Sequence, residues 1–156
     1  MFEIKNISKS FSKKFVVNNL SISMNENKIY GLLGPNGAGK TTTFYIIAGL
    51  IKSDSGKIIF ENKDISEMPM HRRSLHGIKY LPQEPSIFQD LTVYENLYGL
   101  AELSYKTNDQ RKEYVEKSIE DFNLKKILNL KGRQLSGGQR RKVEIARTLV
   151  ADPKII

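Results

Sequence analysis

Apolar and polar residues follow a two-residue period near the start of the chain, which predicts β-strands. Residues 2–7 and 16–24 contain the alternation that is typical of half-buried antiparallel strands. Residues 29–33 instead form a short, continuously apolar run, which predicts a strand buried on both faces. Two further short strands are predicted over residues 56–60 and 77–81.

Later segments place their apolar residues at helical spacing. They predict helices over residues 41–50, 92–103, 108–122 and 136–151. Thr92 and Glu95 open the second of these helices with a capping-box pattern. Asp152 and Pro153 end the fourth, and residues 154–156 resemble the opening of another strand. Three residues are fewer than a normal strand has, so we expect this element to be incomplete.

Composition narrows the function classes only modestly. At 156 residues the chain is long enough for one domain. It has no cysteine, which excludes disulfide frameworks and thiolate metal sites. No apolar run approaches the roughly 20 residues of a membrane span. The net charge of +8 is spread along the chain, which favours a solvated lysine-rich surface over a nucleic-acid interface.

A glycine-rich stretch between a predicted strand and a predicted helix carries the clearest chemistry. It fits the phosphate-loop pattern G-x-x-x-x-G-K-[ST] and comprises Gly34, Pro35, Asn36, Gly37, Ala38, Gly39, Lys40, Thr41 and Thr42. Gly37 and Gly39 leave room for backbone N–H groups to surround phosphate oxygens, and the helix adds its positive dipole end. Lys40 is expected to reach the β- and γ-phosphates and Thr41 to ligate Mg²⁺.

A second glycine-rich motif opens the last helix. It contains Leu135, Ser136, Gly137, Gly138 and Gln139. One interpretation is a plain N-cap by Ser136; the other is a second phosphate site, formed by the Ser136 hydroxyl and the Gly138 N–H at a positive helix end. A second site of this kind requires an approach from the opposite side of the nucleotide.

Together these motifs resemble the Walker A and signature motifs of ATP-binding cassette (ABC) ATPases. Gln83, after Tyr80-Leu81-Pro82, matches the Q-loop. The resemblance implies an α/β fold of the P-loop NTPase class: an antiparallel β subdomain, a RecA-like core and an α-helical subdomain. On this basis residues 1–83 would form the β subdomain and Walker A core, and residues 84–150 the helical subdomain. Residues 151–156 would begin the Walker B strand.

The same resemblance assigns roles to single residues and implies partners. Lys40 and Gln83 would be catalytic, Thr41 and Gln83 would contact Mg²⁺, and Phe11 would stack on adenine, although Phe11 also fits a core position at a strand end. ATP and Mg²⁺ are the implied cofactors. Because one chain carries both phosphate motifs, the resemblance implies a head-to-tail homodimer with two ATP sites, attached to transmembrane permease subunits.

Within this family, residues 31–50, 68–73, 80–88 and 140–147 resemble ATP-binding subunits of lipopolysaccharide export systems. Such a subunit would lie on the cytoplasmic face of the inner membrane. The alternatives are another transporter, such as a branched-chain amino-acid importer, a non-transport protein that acts on nucleic acid, or a nucleotide-binding fragment. The family's water-polarising Glu, a metal-binding Asp and the switch histidine would follow Ile156. We therefore expect these 156 residues alone to be poorly folded and inactive in hydrolysis.

Overall fold

The computed structural model describes residues 1–156, which divide into two compact units, Met1–Ser74 and Leu75–Ile156. The first unit contains an antiparallel sheet of four strands, and the second is mainly helical. The structure thus has the β and α-helical parts that the family resemblance implied.

The sheet of the first unit has the strand order β2-β1-β3-β4. Its strands are β1 (Phe2–Phe11), β2 (Lys14–Met24), β3 (Ser55–Phe60) and β4 (Lys63–Asp64). β1 is central, pairing Phe2 with Met24 of β2 and with Phe60 of β3. The two-residue period appears as buried Phe2 and Ile4 in β1 and buried Ile58 and Phe60 in β3, whereas β2 buries only Val17 and irregularities in register interrupt β1 after Ile4. The buried apolar residues of the unit include Phe2, Ile4, Ile7, Val17, Ile58 and Phe60.

Two helices belong to this part of the chain, α1 (Lys40–Ala48) and α2 (Met70–Leu75). α1 follows the glycine-rich loop as predicted and ends at Gly49, whose left-handed φ of 79° gives the usual helix stop. Its buried residues are Thr43, Ile46 and Ala48.

The prediction of a buried strand over residues 29–33 is wrong for this structure. No strand is assigned there, and Ile29 and Leu33 are 102% and 93% exposed. A strand that is buried on both faces needs neighbouring strands to accept its backbone hydrogen bonds and helices to cover its side chains. Within residues 1–156 no strand pairs with this segment, so most of its apolar side chains are exposed to solvent.

The second unit is built from α3 (Val93–Ser104), α4 (Asn108–Asp121) and α5 (Gly137–Val150), with short 3₁₀ turns at Lys125–Ile127 and Gly132–Gln134. All three helices were predicted, and the capping box of Thr92 and Glu95 is present. The helices enclose one apolar core, formed by Val93, Leu97, Ala101, Val115, Leu124, Val143, Ala146 and Val150.

The predicted strand over residues 77–81 is reduced to one parallel bridge. Ile78 pairs with Ile155, and the Lys79 N–H donates to the Ile155 carbonyl at 2.8 Å. Residues 154–156 therefore extend beside this segment as the opening of a strand would, although neither segment continues into a ladder.

Candidate nucleotide-binding site

The loop before α1 has a backbone that only glycine adopts without strain at two positions. Gly37 and Gly39 have φ values of 81° and 84°, in the left-handed region. Gly39 also passes close to β2, because a Cβ built on it would lie 2.2 Å from the Val16 carbonyl oxygen. The loop is therefore seated against β2 in a shape that a side chain at position 39 would prevent.

Lys40 lies over this loop. Its ammonium donates to the carbonyl oxygens of Gly34 and Pro35, both at 2.7 Å. The Ala38 N–H donates to the same Pro35 carbonyl at 3.2 Å, which closes the turn around Asn36 and Gly37.

The N-terminus of α1 leaves its first N–H groups available. A helix gives its first N–H groups no intrahelical acceptor, and the Thr43 N–H is the first to find one, the Gly39 carbonyl at 2.8 Å. No side chain caps this end and no acidic residue lies in the first turn. Thr41 is exposed and Thr42 half-buried, so both border the same open helix end.

These features fit a nucleotide phosphate. The seat of Gly39 against β2, the uncapped helix end and one ammonium supply the close approach, the donors and the charge that an anion requires. For Mg²⁺, Thr41 offers an exposed hydroxyl oxygen, and no group of three His, Cys, Asp or Glu residues gathers anywhere in residues 1–156. A metal here would therefore depend on phosphate oxygens and water for most of its ligands.

Phe11 ends β1 with its ring 49% exposed, which does not fit the strand-end core position. The Lys9 ammonium lies 5.6 Å from the ring centroid and is held by Asp54 at 2.6 Å. Asp54 also accepts from the Ser10 N–H at 2.7 Å and the Ser10 hydroxyl at 2.8 Å. The Lys9 hydrogen bond, followed by those from Ser10, lowers the pKa of Asp54 to about 2.

The second glycine-rich motif lies in the helical unit, at the N-terminus of α5. Ser136 and Gln139 form a reciprocal capping box, in which the Ser136 N–H donates to Gln139 Oε1 at 2.9 Å and the Gln139 N–H donates to Ser136 Oγ at 3.3 Å. Gly137 and Gly138 are exposed, and a Cβ on either would meet nothing within 4 Å. Neither has a positive φ, so nothing within this chain requires glycine there.

Gln83 lies exposed in an irregular segment of the helical unit. The structure therefore places the matched residues in two groups: Phe11 and residues 34–42 in the first unit, and Gln83 and residues 136–139 in the second.

Sequence reasoning missed the side chains of α5 that hold residues 82–88, the segment around Gln83. Glu144, which is 3% exposed, accepts from the Ser86 N–H at 2.7 Å. Arg147 donates to the Ser86 carbonyl at 2.6 Å, and its guanidinium lies 4.9 Å from the Phe88 ring centroid. Arg141 donates to the Pro82 carbonyl at 2.8 Å and to Glu144 at 3.3 Å. The only signal in sequence was a spacing of three residues, which puts 141, 144 and 147 on neighbouring turns.

A family model described as ABC transporter matches residues 17–156. The chain belongs to the ABC transporter family. Membership confirms the predicted family and fold class, and this family comprises ATPases. The described residues include no helix that is long and apolar enough to cross a membrane.

Relatives in the ABC family extend this result. The chain is 53% identical to the lipopolysaccharide export system ATP-binding protein LptB of Haemophilus influenzae, over 97% of this chain and 64% of that protein. It is 46% identical to LptB of Escherichia coli over the same shares. The chain thus spans about 64% of the length of these relatives.

Solved structures of ABC cassettes have the same fold. One ATP-binding cassette of an ABC transporter superposes with a TM-score of 0.86 at 33% identity, over 99% of this chain and 66% of that one. A dimeric bacterial ABC transporter cassette gives a TM-score of 0.85 at 25% identity, over 98% of this chain and 71% of that one.

Proposed function

We propose that this protein is the ATP-binding subunit of a lipopolysaccharide exporter, and that it couples ATP binding and hydrolysis to transport. The observation that carries the nucleotide part is the loop before α1, where Gly39 is seated against Val16 and Lys40 covers an uncapped helix end. The cargo is inferred from the similarity to LptB.

In this proposal the loop binds the triphosphate and Phe11 holds the base. The N–H groups at the start of α1 donate to phosphate oxygens, and the Lys40 ammonium moves from the Gly34 and Pro35 carbonyls to the β- and γ-phosphates. Each hydrogen bond to a charged oxygen is worth about 1.5–3 kcal/mol, whereas stacking on Phe11 adds about 0.5–1.5 kcal/mol. Phosphate contacts therefore dominate affinity.

Mg²⁺, held by Thr41, would neutralise charge on the phosphates when bound. The remaining donors would come from a second copy of the chain, since Ser136, Gly137 and Gly138 form an exposed tip whose glycines serve no packing within their own chain. A head-to-tail dimer would bring this tip to the triphosphate of its partner.

Transport in this proposal requires membrane subunits that this chain would contact from the cytoplasmic face of the inner membrane. LptB relatives are named for lipopolysaccharide export, which favours an exporter over a branched-chain amino-acid importer. No nucleic-acid partner is expected.

The test compares Lys40→Ala with Lys117→Ala in the complete translated product of this reading frame. Loss of the Lys40 ammonium should weaken MgATP binding by about 10-fold or more, because one charge-assisted contact of 1.4 kcal/mol or more is removed. Lys117 is exposed on α4, so its replacement should leave the Kd unchanged. Equal MgATP affinity in wild type and Lys40→Ala would contradict the assignment of the loop.

A second arm tests the cargo. Together with its membrane subunits, the protein should hydrolyse ATP faster in the presence of lipopolysaccharide. Stimulation by a branched-chain amino acid with its binding protein, and none by lipopolysaccharide, would assign the subunit to an importer instead.

A further inference from the structure

Arg73 is a charged side chain that the nucleotide site does not use, and it is 2% exposed. All of its hydrogen bonds go to backbone carbonyls. Nη1 donates to the Ile46 and Ile47 oxygens, both at 2.7 Å. Nε donates to the Met68 oxygen at 2.7 Å and Nη2 to the Ser66 oxygen at 2.9 Å.

No carboxylate forms a salt bridge with this guanidinium, although Glu67 lies near enough for its charge to favour the protonated form. Ile46 and Ile47 instead belong to the last turn of α1, where carbonyl groups lack the usual partner four residues on and the helix dipole is negative. The Ile46 carbonyl also accepts from the Gly49 N–H at 3.2 Å. Burial lowers the pKa of Arg73, but an arginine keeps its proton in proteins. Arg73 is thus a permanent cation at the C-terminal end of α1.

Gly49 makes the space for this contact. A Cβ on Gly49 would lie 2.9 Å from Arg73 Nε and 3.0 Å from the Met68 carbonyl oxygen. The left-handed conformation of Gly49 also turns the chain away from the end of α1, so that the guanidinium reaches the last carbonyls.

The opposite end of α1 is the candidate phosphate site. α1 has nine residues, and helices this short are unstable without tertiary contacts. The N–H groups at its start can point at a phosphate only if the helix axis is fixed. The hydrogen bonds of Arg73 join the last turn of α1 to residues 66–68.

We propose that Arg73 is a positioning residue for phosphate binding: it anchors the C-terminal end of α1 and thereby aims the N–H groups of its first turn. The inference rests on the proposed binding of MgATP at the Lys40 end. Arg73 itself touches no nucleotide.

The test measures the Kd and the binding stoichiometry of MgATP by calorimetry on the complete protein, for Arg73→Met, Arg73→Lys and Arg72→Met. Arg72 is the exposed neighbour and serves as the matched control. Arg73→Met should raise the Kd by about 3- to 30-fold, the range of a helix-end charge in a partly buried site. Arg73→Lys, which keeps the charge but not the four-carbonyl contact, should give a smaller rise.

A merely structural role would lower the melting temperature and the fraction of binding-competent molecules, while those molecules kept the wild-type Kd. That result, or an unchanged Kd in both Arg73 variants, would overturn the inference and leave the proposed function standing. If Arg73→Met does not fold, Arg73→Lys decides alone: a raised Kd at normal stoichiometry supports the inference and a wild-type Kd overturns it. Absence of MgATP binding by the wild type would overturn both proposals.

Discussion

Two cations lie at opposite ends of helix α1, and the helix dipole favours the positive charge at one end and disfavours it at the other. Arg73 sits at the C-terminal end, where the helix dipole favours a positive charge. Lys40 sits at the N-terminal end, where the dipole disfavours one, and the carbonyls of Gly34 and Pro35 offset this cost. An anion that bound there would relieve the unfavourable pairing, which is a reason for Lys40 to leave those carbonyls.

Asp54 gives a prediction about acid stability. Its folded-state pKa is about 2, below the ordinary value of 3.8, because it accepts hydrogen bonds from Lys9 and Ser10. A depressed pKa stabilises the fold above the ordinary value, and that stabilisation is lost as pH falls through about 2. Asp54→Asn should therefore be less stable than wild type at pH 6, and the difference should shrink between pH 4 and pH 2.

Denaturant unfolding of wild type, Asp54→Asn and Glu116→Gln across this pH range provides the measurement. Glu116 is exposed in the middle of α4, and its replacement should have little effect at any pH. A stability difference for Asp54→Asn that stays constant down to pH 2 would show that the carboxylate charge is not the cause.

Among the elements, α3 and α5 begin with the same kind of N-terminal cap but differ in the residues that follow it. Each opens with a reciprocal capping box, Thr92 with Glu95 and Ser136 with Gln139. Only α5 has two exposed glycines directly after its cap. The cap explains the serine, whereas no contact within the chain explains the glycines, which the proposed approach of a partner's nucleotide would.

A comparison of these two caps distinguishes an effect on the free energy of unfolding from an effect on ATP hydrolysis. Ser136→Ala and Thr92→Ala should each cost about 1 kcal/mol of unfolding free energy, since each removes one N-cap. Only Ser136→Ala should also lower MgATP hydrolysis, because its hydroxyl is proposed to contact nucleotide on a partner chain. Unfolding curves and turnover rates measured on both variants test this. Equal turnover in the two variants would show that Ser136 acts only as the N-cap of α5.

The sequence allowed α3, α4 and α5 to be predicted because caps and apolar spacing are local signals. It also located the glycine-rich loop before α1, whose glycines are required by backbone geometry at positions 37 and 39. The segment 29–33 was wrongly predicted as a buried strand, because burial depends on which strands are available to pair with it. Arg73 and Glu144 were missed for a related reason: Arg73 bonds to Ile46 and Ile47 and Glu144 to Ser86, all backbone atoms far along the chain that no periodicity marks.

For the whole molecule, the two glycine-rich motifs lie in different compact units, and the chain spans about 64% of its LptB relatives. Hydrolysis, transport and pairing of copies therefore concern the complete protein. A known relative of the same fold is a dimeric cassette.

Pairing of two copies gives the prediction at this scale. With MgATP the complete protein should sediment as a dimer, because each triphosphate would join the loop of one copy to the Ser136 tip of the other. Without nucleotide, and in Lys40→Ala with MgATP, it should sediment as a monomer. A dimer that forms equally well without nucleotide would contradict the proposed head-to-tail arrangement.

The attachment of residues 82–88 to α5 has a mechanical consequence. Arg141, Glu144 and Arg147 grip that segment over nearly two turns of the helix. A rod of 14 residues is roughly 21 Å long, and the grip lies along its middle and later turns while Ser136 lies at its tip. A displacement of residues 82–88 would consequently act directly on α5, the helix whose N-cap is Ser136.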